Sequence, residues 1–181
     1  MLPDNEIRSA LKEGLIKIEP FEETDIRPAA VSFHLGKEIL VPKPVDLIDL
    51  KNEKTDLPYD KLEISKDKPF IIHPQQFVLG HTEQNVTITA EIGLIIEGRS
   101  TLARLGISVE QSSTIVEPGH TNRPITLEIY NCGPSPVTLY RGMTVAKGLF
   151  FKLSSASSRH YDSYAHYANQ KHGVGKPKLS I

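Results

Sequence analysis

Four side chains able to hold an anion crowd into one short stretch. In GRSTLAR, Gly98 to Arg104, Arg99 and Arg104 offer fork-shaped donors and Ser100 and Thr101 offer hydroxyls. If Ser100 opens a helical turn, its hydroxyl and the unpaired backbone N–H groups of that turn face one ligand. Guanidinium groups match phosphate oxygens, and Gly98 lets backbone come close. The same letters also describe a capped surface turn with two arginines. Taken alone, the stretch leaves both readings open.

A carboxylate follows in PITLEIYN. Read as a strand, this run sends Ile125, Leu127 and Ile129 to one face and Thr126, Glu128 and Tyr130 to the other. On an open face Glu128 is a solvated strand carboxylate. On a pocket wall, partial desolvation raises its proton affinity and suits it to general acid and base work. Between the two stretches, IVEPGHTNRPI carries turn chemistry at Glu117-Pro118-Gly119. The Glu117 carboxylate there either binds a ligand hydroxyl or stays in solvent.

The elements that must hold these residues are mostly strands. At the start, Asp4 reads as an N-cap, Ile7 and Leu11 share a helical face, and Gly14 is a stop. Short apolar or alternating runs then recur between Pro, Gly, Asn and Asp: IKIEPF, AAVSFHLG, EILVP, VDLIDL, FVLGHT, NVTIT, IGLIIEG, PITLEIYN and PVTLYRGMTVAKGLFFKL. This texture predicts an all-β barrel or sandwich, with STLARLG as one further helical turn. Leu102 and Leu105 are the core-facing side of that turn. The expected division is a β domain over residues 1–153 and a C-terminal arm over 154–181. The last stretch holds Tyr161, Tyr164 and Tyr167, and sets Arg159, Lys171, Lys176 and Lys178 against Asp162. It is either a solvated tail or an arm that orders over an anionic ligand or a neighbouring subunit.

Composition removes several classes. With 181 residues and a formal charge of −1, the chain can bury a core but is no general electrostatic trap for nucleic acid. Any anion must be held locally. The lone Cys132 forms no intrachain disulfide and no Cys-x-x-Cys metal site. The opening MLPDNEIRSALKEG is too polar for a secretory signal, and IGLII is too short to span a bilayer. A cytoplasmic protein without membrane or nucleic-acid partners is expected. The His-x-Glu and Pro-Cys-x-x-Cys pair of zinc nucleobase deaminases is missing, as are a Walker loop and a dinucleotide glycine fingerprint.

In their order, GRSTLAR, EPG, ITLE followed by Asn131, LYRGMTVAKGLFF and HYANQ resemble the dCTP deaminase and dUTPase family, closest to its dCTP deaminase branch. GLIKIEPF also resembles the family's opening. The resemblance covers most of the chain and is most specific between Glu97 and Phe151. It implies a distorted jelly-roll-like β-barrel with a short N-terminal helix, assembled as a homotrimer. Active sites would lie between subunits, closed by the C-terminal arm.

It also implies a zinc-free hydrolytic deamination of dCTP to dUTP and ammonia. Glu128 would be the general base and acid on the water that attacks C4. Ser100 and the Ser113 carbonyl would hold that water, and Arg104 would orient the glutamate. Arg99, Ser100 and Thr101 would cradle phosphates, with Mg2+ carried on the triphosphate. Thr126 and Leu127 would read the pyrimidine, and Glu117 would meet the sugar. Tyr161, His166 and Gln170 of the arm would cap the nucleotide. Some positions depart from the family pattern. Glu117 replaces an aspartate, and the turn HTNRP has an extra residue. His166 stands for a lysine, and VSFHLG shows Ser32 and His34 where Asp and Arg are frequent. Ile115 stands where bifunctional members tend to be apolar. That favours the alternative in which dCTP is carried on to dUMP and pyrophosphate. A catalytically silent nucleotide-binding relative is the remaining reading.

Overall fold

The computed structural model describes residues 1–52, 57–163 and 173–178. Helix α1 spans Asp4–Lys12 and buries Ile7 and Ala10, so its apolar stripe is narrow. Pro3, not Asp4, is its N-cap. The first helical N–H, that of Asp4, donates to the Pro28 carbonyl at 3.0 Å, so the tertiary fold supplies the cap and leaves the Asp4 carboxylate to pair with Arg8 at 2.6 Å. Gly14 ends the helix with φ +75°, as a C-terminal glycine should.

Thirteen strands follow among the described residues. They are β1 (Ile16–Glu19), β2 (Ile26–Arg27), β3 (Ala30–His34), β4 (Glu38–Pro42), β5 (Tyr59–Glu63), β6 (Phe70–Ile72) and β7 (Phe77–Ile88). Then come β8 (Ile92–Gly98), β9 (Ile107–Ser108), β10 (Ile115–Val116), β11 (Arg123–Asn131), β12 (Val137–Leu139) and β13 (Thr144–Lys152). Helix α2 (Ser100–Ala103) lies between β8 and β9. One sheet runs β5-β4-β7-β11-β9, with β1 also on β7. The second runs β10-β8-β13-β3-β2, and β12 pairs with β6 in a separate ribbon. Phe33, Leu94 and Phe150 of the second sheet join Val86, Leu127 and Ile129 of the first in a single buried cluster.

The expected all-β class is what the chain adopts, but the pairing of the described strands does not close a barrel. Strands β5 and β9 bound one sheet, and β10 and β2 bound the other. The two meet through the isolated bridge of Leu35 with Thr82, a single link that leaves the circuit open. VDLIDL is not a strand either: Leu47, Ile48 and Leu50 are exposed in a loop, because no neighbouring strand pairs with them. None of the described helices is long and apolar enough to cross a membrane.

A candidate active-site cavity

The strand carrying Glu128 is held by an irregularity in its neighbour. Along β11 and β7, Pro124 faces Asn85, but two residues later Thr126 faces His81, so Thr82, Glu83 and Gln84 oppose Ile125 alone. Proline has no N–H to give the ladder, which suits it to this break. The Ile125 N–H is taken up by the Thr82 hydroxyl at 2.9 Å, and that hydroxyl donates to the Gln84 carbonyl at 2.7 Å. Beyond the break the alternation is regular: Ile125, Leu127 and Ile129 are buried, and Thr126, Glu128 and Tyr130 are half-buried.

That second face does not look into open solvent. Thr126 and Glu128 line a cavity of about 450 Å3 together with Ser113, Glu117 and Tyr161, and Ile125 and Leu127 also border it. Of the residues expected to form a site, the structure brings together Glu128, Thr126, Leu127, Ser113, Glu117 and Tyr161. Burial pushes the Glu128 carboxyl above its ordinary range, and the negative charge of Glu110 pushes the same way. Hydrogen bonds from the backbone of Gln111 and of Glu128 itself oppose this in part. A half-buried carboxyl with raised proton affinity can both accept a proton from water and return it.

Glu117 opens the EPG turn. Gly119 takes φ +86° there, and a Cβ on it would press on His160 at 3.0 to 3.1 Å. The glycine thus serves both the turn and the close approach of the C-terminal segment, whose Tyr161 N–H donates to the Pro118 carbonyl at 3.0 Å. His120 and Arg123 are buried beside Tyr161 and line the same cavity. Arg123 Nη2 lies 3.3 Å from His120 Nδ1, and His120 Nε2 faces the Arg123 carbonyl at 3.3 Å. The Arg123 guanidinium lies 5.4 Å from the Tyr161 ring centroid. The sequence reading passed over both residues. In HTNRP they read as loop polarity, and only the packing of Tyr161 across the turn buries them.

The chain's last described segment reaches this wall as well. The Gly175 N–H donates to Thr126 Oγ1 at 3.1 Å, and Gly175 and Pro177 line the cavity. Val174 is buried against Leu40 and Leu79. His166 and Gln170, expected to cap the nucleotide, lie outside the described residues.

The GRSTLAR residues stand apart in a single chain. Arg99, Ser100, Thr101 and Arg104 are exposed on and beside α2 and do not line the Glu128 cavity. Only Leu102 faces the core; Leu105 is 52% exposed. Gly106 takes φ +83°, and a Cβ there would collide with the backbone of Gly133. Gly98 also has a different use from the one expected. Its missing side chain leaves room for the Glu110 carboxyl, whose Oε2 would lie 3.3 Å from a Cβ at that position. The departures in VSFHLG are absorbed locally: Arg27 Nε donates to the buried Ser32 hydroxyl at 2.9 Å, and His34 Nε2 lies 3.4 Å from Asp25. Among the described residues no group of three His, Cys, Asp or Glu is arranged to hold a metal ion.

Comparison with known proteins gives the family and corrects one expectation. A family model described as dCTP deaminase-like matches residues 1–153. The chain is 33% identical, over 99% of its length and 89% of the relative's, to a protein of Leifsonia xyli named "dCTP deaminase, dUMP-forming". It is 36% identical to a protein of the same name from Methanosphaera stadtmanae, over 89% of this chain and 83% of that one. Among solved structures, 2'-deoxycytidine 5'-triphosphate deaminase from Agrobacterium tumefaciens matches with a TM-score of 0.62 at 16% identity. This likeness covers 82% of the present chain and 47% of that one, and it bears on the fold alone. The expected product, dUTP, is overturned: these curated relatives carry the dUMP-forming name, in line with the apolar Ile115. The family model over residues 1–153 and the relatives at 33% and 36% identity establish that this chain belongs to the dCTP deaminase-like family.

Proposed function

We propose that this chain is a bifunctional hydrolase that converts dCTP and two waters into dUMP, pyrophosphate and ammonia. The observation that carries the reading is Glu128, a half-buried carboxyl of raised proton affinity inside the cavity, in a chain whose full-length relatives bear the dUMP-forming name. Glu128 takes a proton from the first water as its oxygen bonds to C4 of the cytosine. It hands that proton to ring N3 and then moves the second one, from the new C4 hydroxyl, to the amino group; the C4–N bond breaks as C4=O forms, and ammonia leaves. A second water attacks the α-phosphorus and pyrophosphate leaves.

Thr126 and Leu127 present strand backbone to the base, Glu117 borders the sugar, and the Ser113 carbonyl helps hold the attacking water. Arg99, Ser100 and Thr101, which cradle the phosphates, and Arg104, which orients Glu128, complete the site from a second copy of the chain, in a homotrimer with sites between subunits. Their exposure on a four-residue turn outside their own chain's cavity supports this arrangement. Mg2+ enters with the triphosphate, which offers it the oxygen ligands it prefers. The C-terminal arm, 154–181, closes the site, and the seating of Tyr161 and Gly175 on the cavity wall supports that role.

Incubation with dCTP and Mg2+, followed by chromatographic separation of dCTP, dUTP and dUMP, tests the reading. Formation of dUMP with one ammonia per turnover is expected. Unchanged dCTP, or dUTP as the sole product, overturns it.

A further inference from the structure

Beside Glu128 and Glu117, the cavity holds a third carboxyl that none of the roles above employs. Glu110 follows β9, and the Ser108 hydroxyl donates to its backbone carbonyl, so the loop is fixed at that point. Glu110 lines the cavity with Glu128. Its Oε2 is buried and has no hydrogen-bond partner among the described residues. The same oxygen lies against Gly98 of β8, where a Cβ would come within 3.3 Å of it.

The negative charge of Glu97 on β8 acts on this carboxyl, and the charge of Glu110 in turn acts on Glu128 of β11. The other titratable residues of the cavity wall are Tyr59, Glu117, His120, Arg123 and Tyr161. Burial first, and the charge of Glu97 second, raise the proton affinity of Glu110. Two carboxyls in one partly desolvated cavity oppose each other's ionisation, and their protons leave in two coupled steps.

We propose that Glu110 is a positioning residue of the deaminating site, whose carboxyl sets the pH at which Glu128 exchanges its proton. The inference rests on the proposed deaminase reading for its consequence in turnover, but not for the coupling itself. Removing the Glu110 charge leaves Glu128 a weaker base that ionises at lower pH. Because coupling is reciprocal, removing Glu128 does the same to Glu110.

The test uses full-length protein with 13C-labelled glutamate carboxyls, followed by NMR against pH. The two resonances are assigned by their loss in Glu110→Gln and Glu128→Gln. In Glu110→Gln, the Glu128 midpoint is expected to move to lower pH. The acid limb of kcat/KM for dCTP moves down with it, a change that loss of packing alone would not produce. An unchanged Glu128 midpoint overturns the proposal. If Glu110→Gln does not fold, the reciprocal reading in Glu128→Gln decides. There a falling Glu110 midpoint supports the pair and a fixed one overturns it. Coupling seen by NMR in a protein that leaves dCTP untouched supports the carboxyl pair and overturns only the deaminase reading.

Discussion

The Thr82 hydroxyl accepts the Ile125 N–H at 2.9 Å where β7 and β11 fall out of register. This bond joins the two irregular stretches just before Thr126 and Glu128. Thr82 is fully buried and donates the same hydroxyl to the Gln84 carbonyl, so both backbone groups of the break depend on it. Thr82→Val keeps the shape and removes both bonds. Leaving buried backbone groups unsatisfied costs about 1–3 kcal/mol. A lower midpoint in thermal unfolding is expected, with reduced kcat for dCTP because Glu128 loses its register. Thr82→Ser should recover most of both.

The raised proton affinity of Glu128 has a consequence for stability. Its carboxyl binds a proton more tightly in the folded chain than in the unfolded one, because burial disfavours the anion. That contribution to stability is present below the ordinary carboxylate range and is lost as pH rises through the folded-state value. Glu128→Gln, always neutral, should therefore melt higher than the parent at neutral pH, with the gap closing in acid. Turnover should drop by about 100-fold or more, while nucleotide binding by calorimetry stays close to that of the parent.

Separation of Arg104 from Glu128 within one chain makes a shared site testable by mixing. Arg104→Ala and Glu128→Gln should each be inactive alone. When the two are unfolded together and reassembled in equal amounts, about a quarter of the sites receive an intact Arg104 from one subunit and an intact Glu128 from the next. Recovery of about a quarter of parental activity is expected, with a trimer mass by light scattering. No recovery, or a monomer, would sink the shared-site arrangement.

Asn131 closes the strand that bears Glu128. Its fully buried amide donates to the Ile72 carbonyl at 3.1 Å and the Ser135 carbonyl at 2.9 Å, and accepts the Gly133 N–H at 2.9 Å. Gly133 in turn packs on Gly106, which ends the α2 turn. Asn131→Leu strands three backbone groups, and a loss of about 2–4 kcal/mol in denaturant unfolding is expected. Gly106→Ala should act in the same direction, since it combines an unfavourable positive φ with a collision against Gly133.

Much of this protein was legible in its letters. The side-chain period of a strand is two, so PITLEIYN alone determined that Glu128 and Thr126 share a face opposite Leu127. Turn glycines are local too: Gly14 and Gly119 adopt the positive φ that their positions require. The order of GRSTLAR, EPG and ITLE pointed to the family before any contact was known. What that face looks out on was a tertiary decision. A strand pattern is the same over solvent and over a cavity, and the cavity is made by Glu110, Tyr161 and Gly175, which come from segments distant from Glu128 in sequence. The burial of His120 and Arg123, and the use of Gly98 to seat a carboxyl, depend on such long-range packing. So does the separation of α2 from its own chain's cavity. Local chemistry assigned each residue its face and turn; only the folding of distant segments against one another set which faces meet.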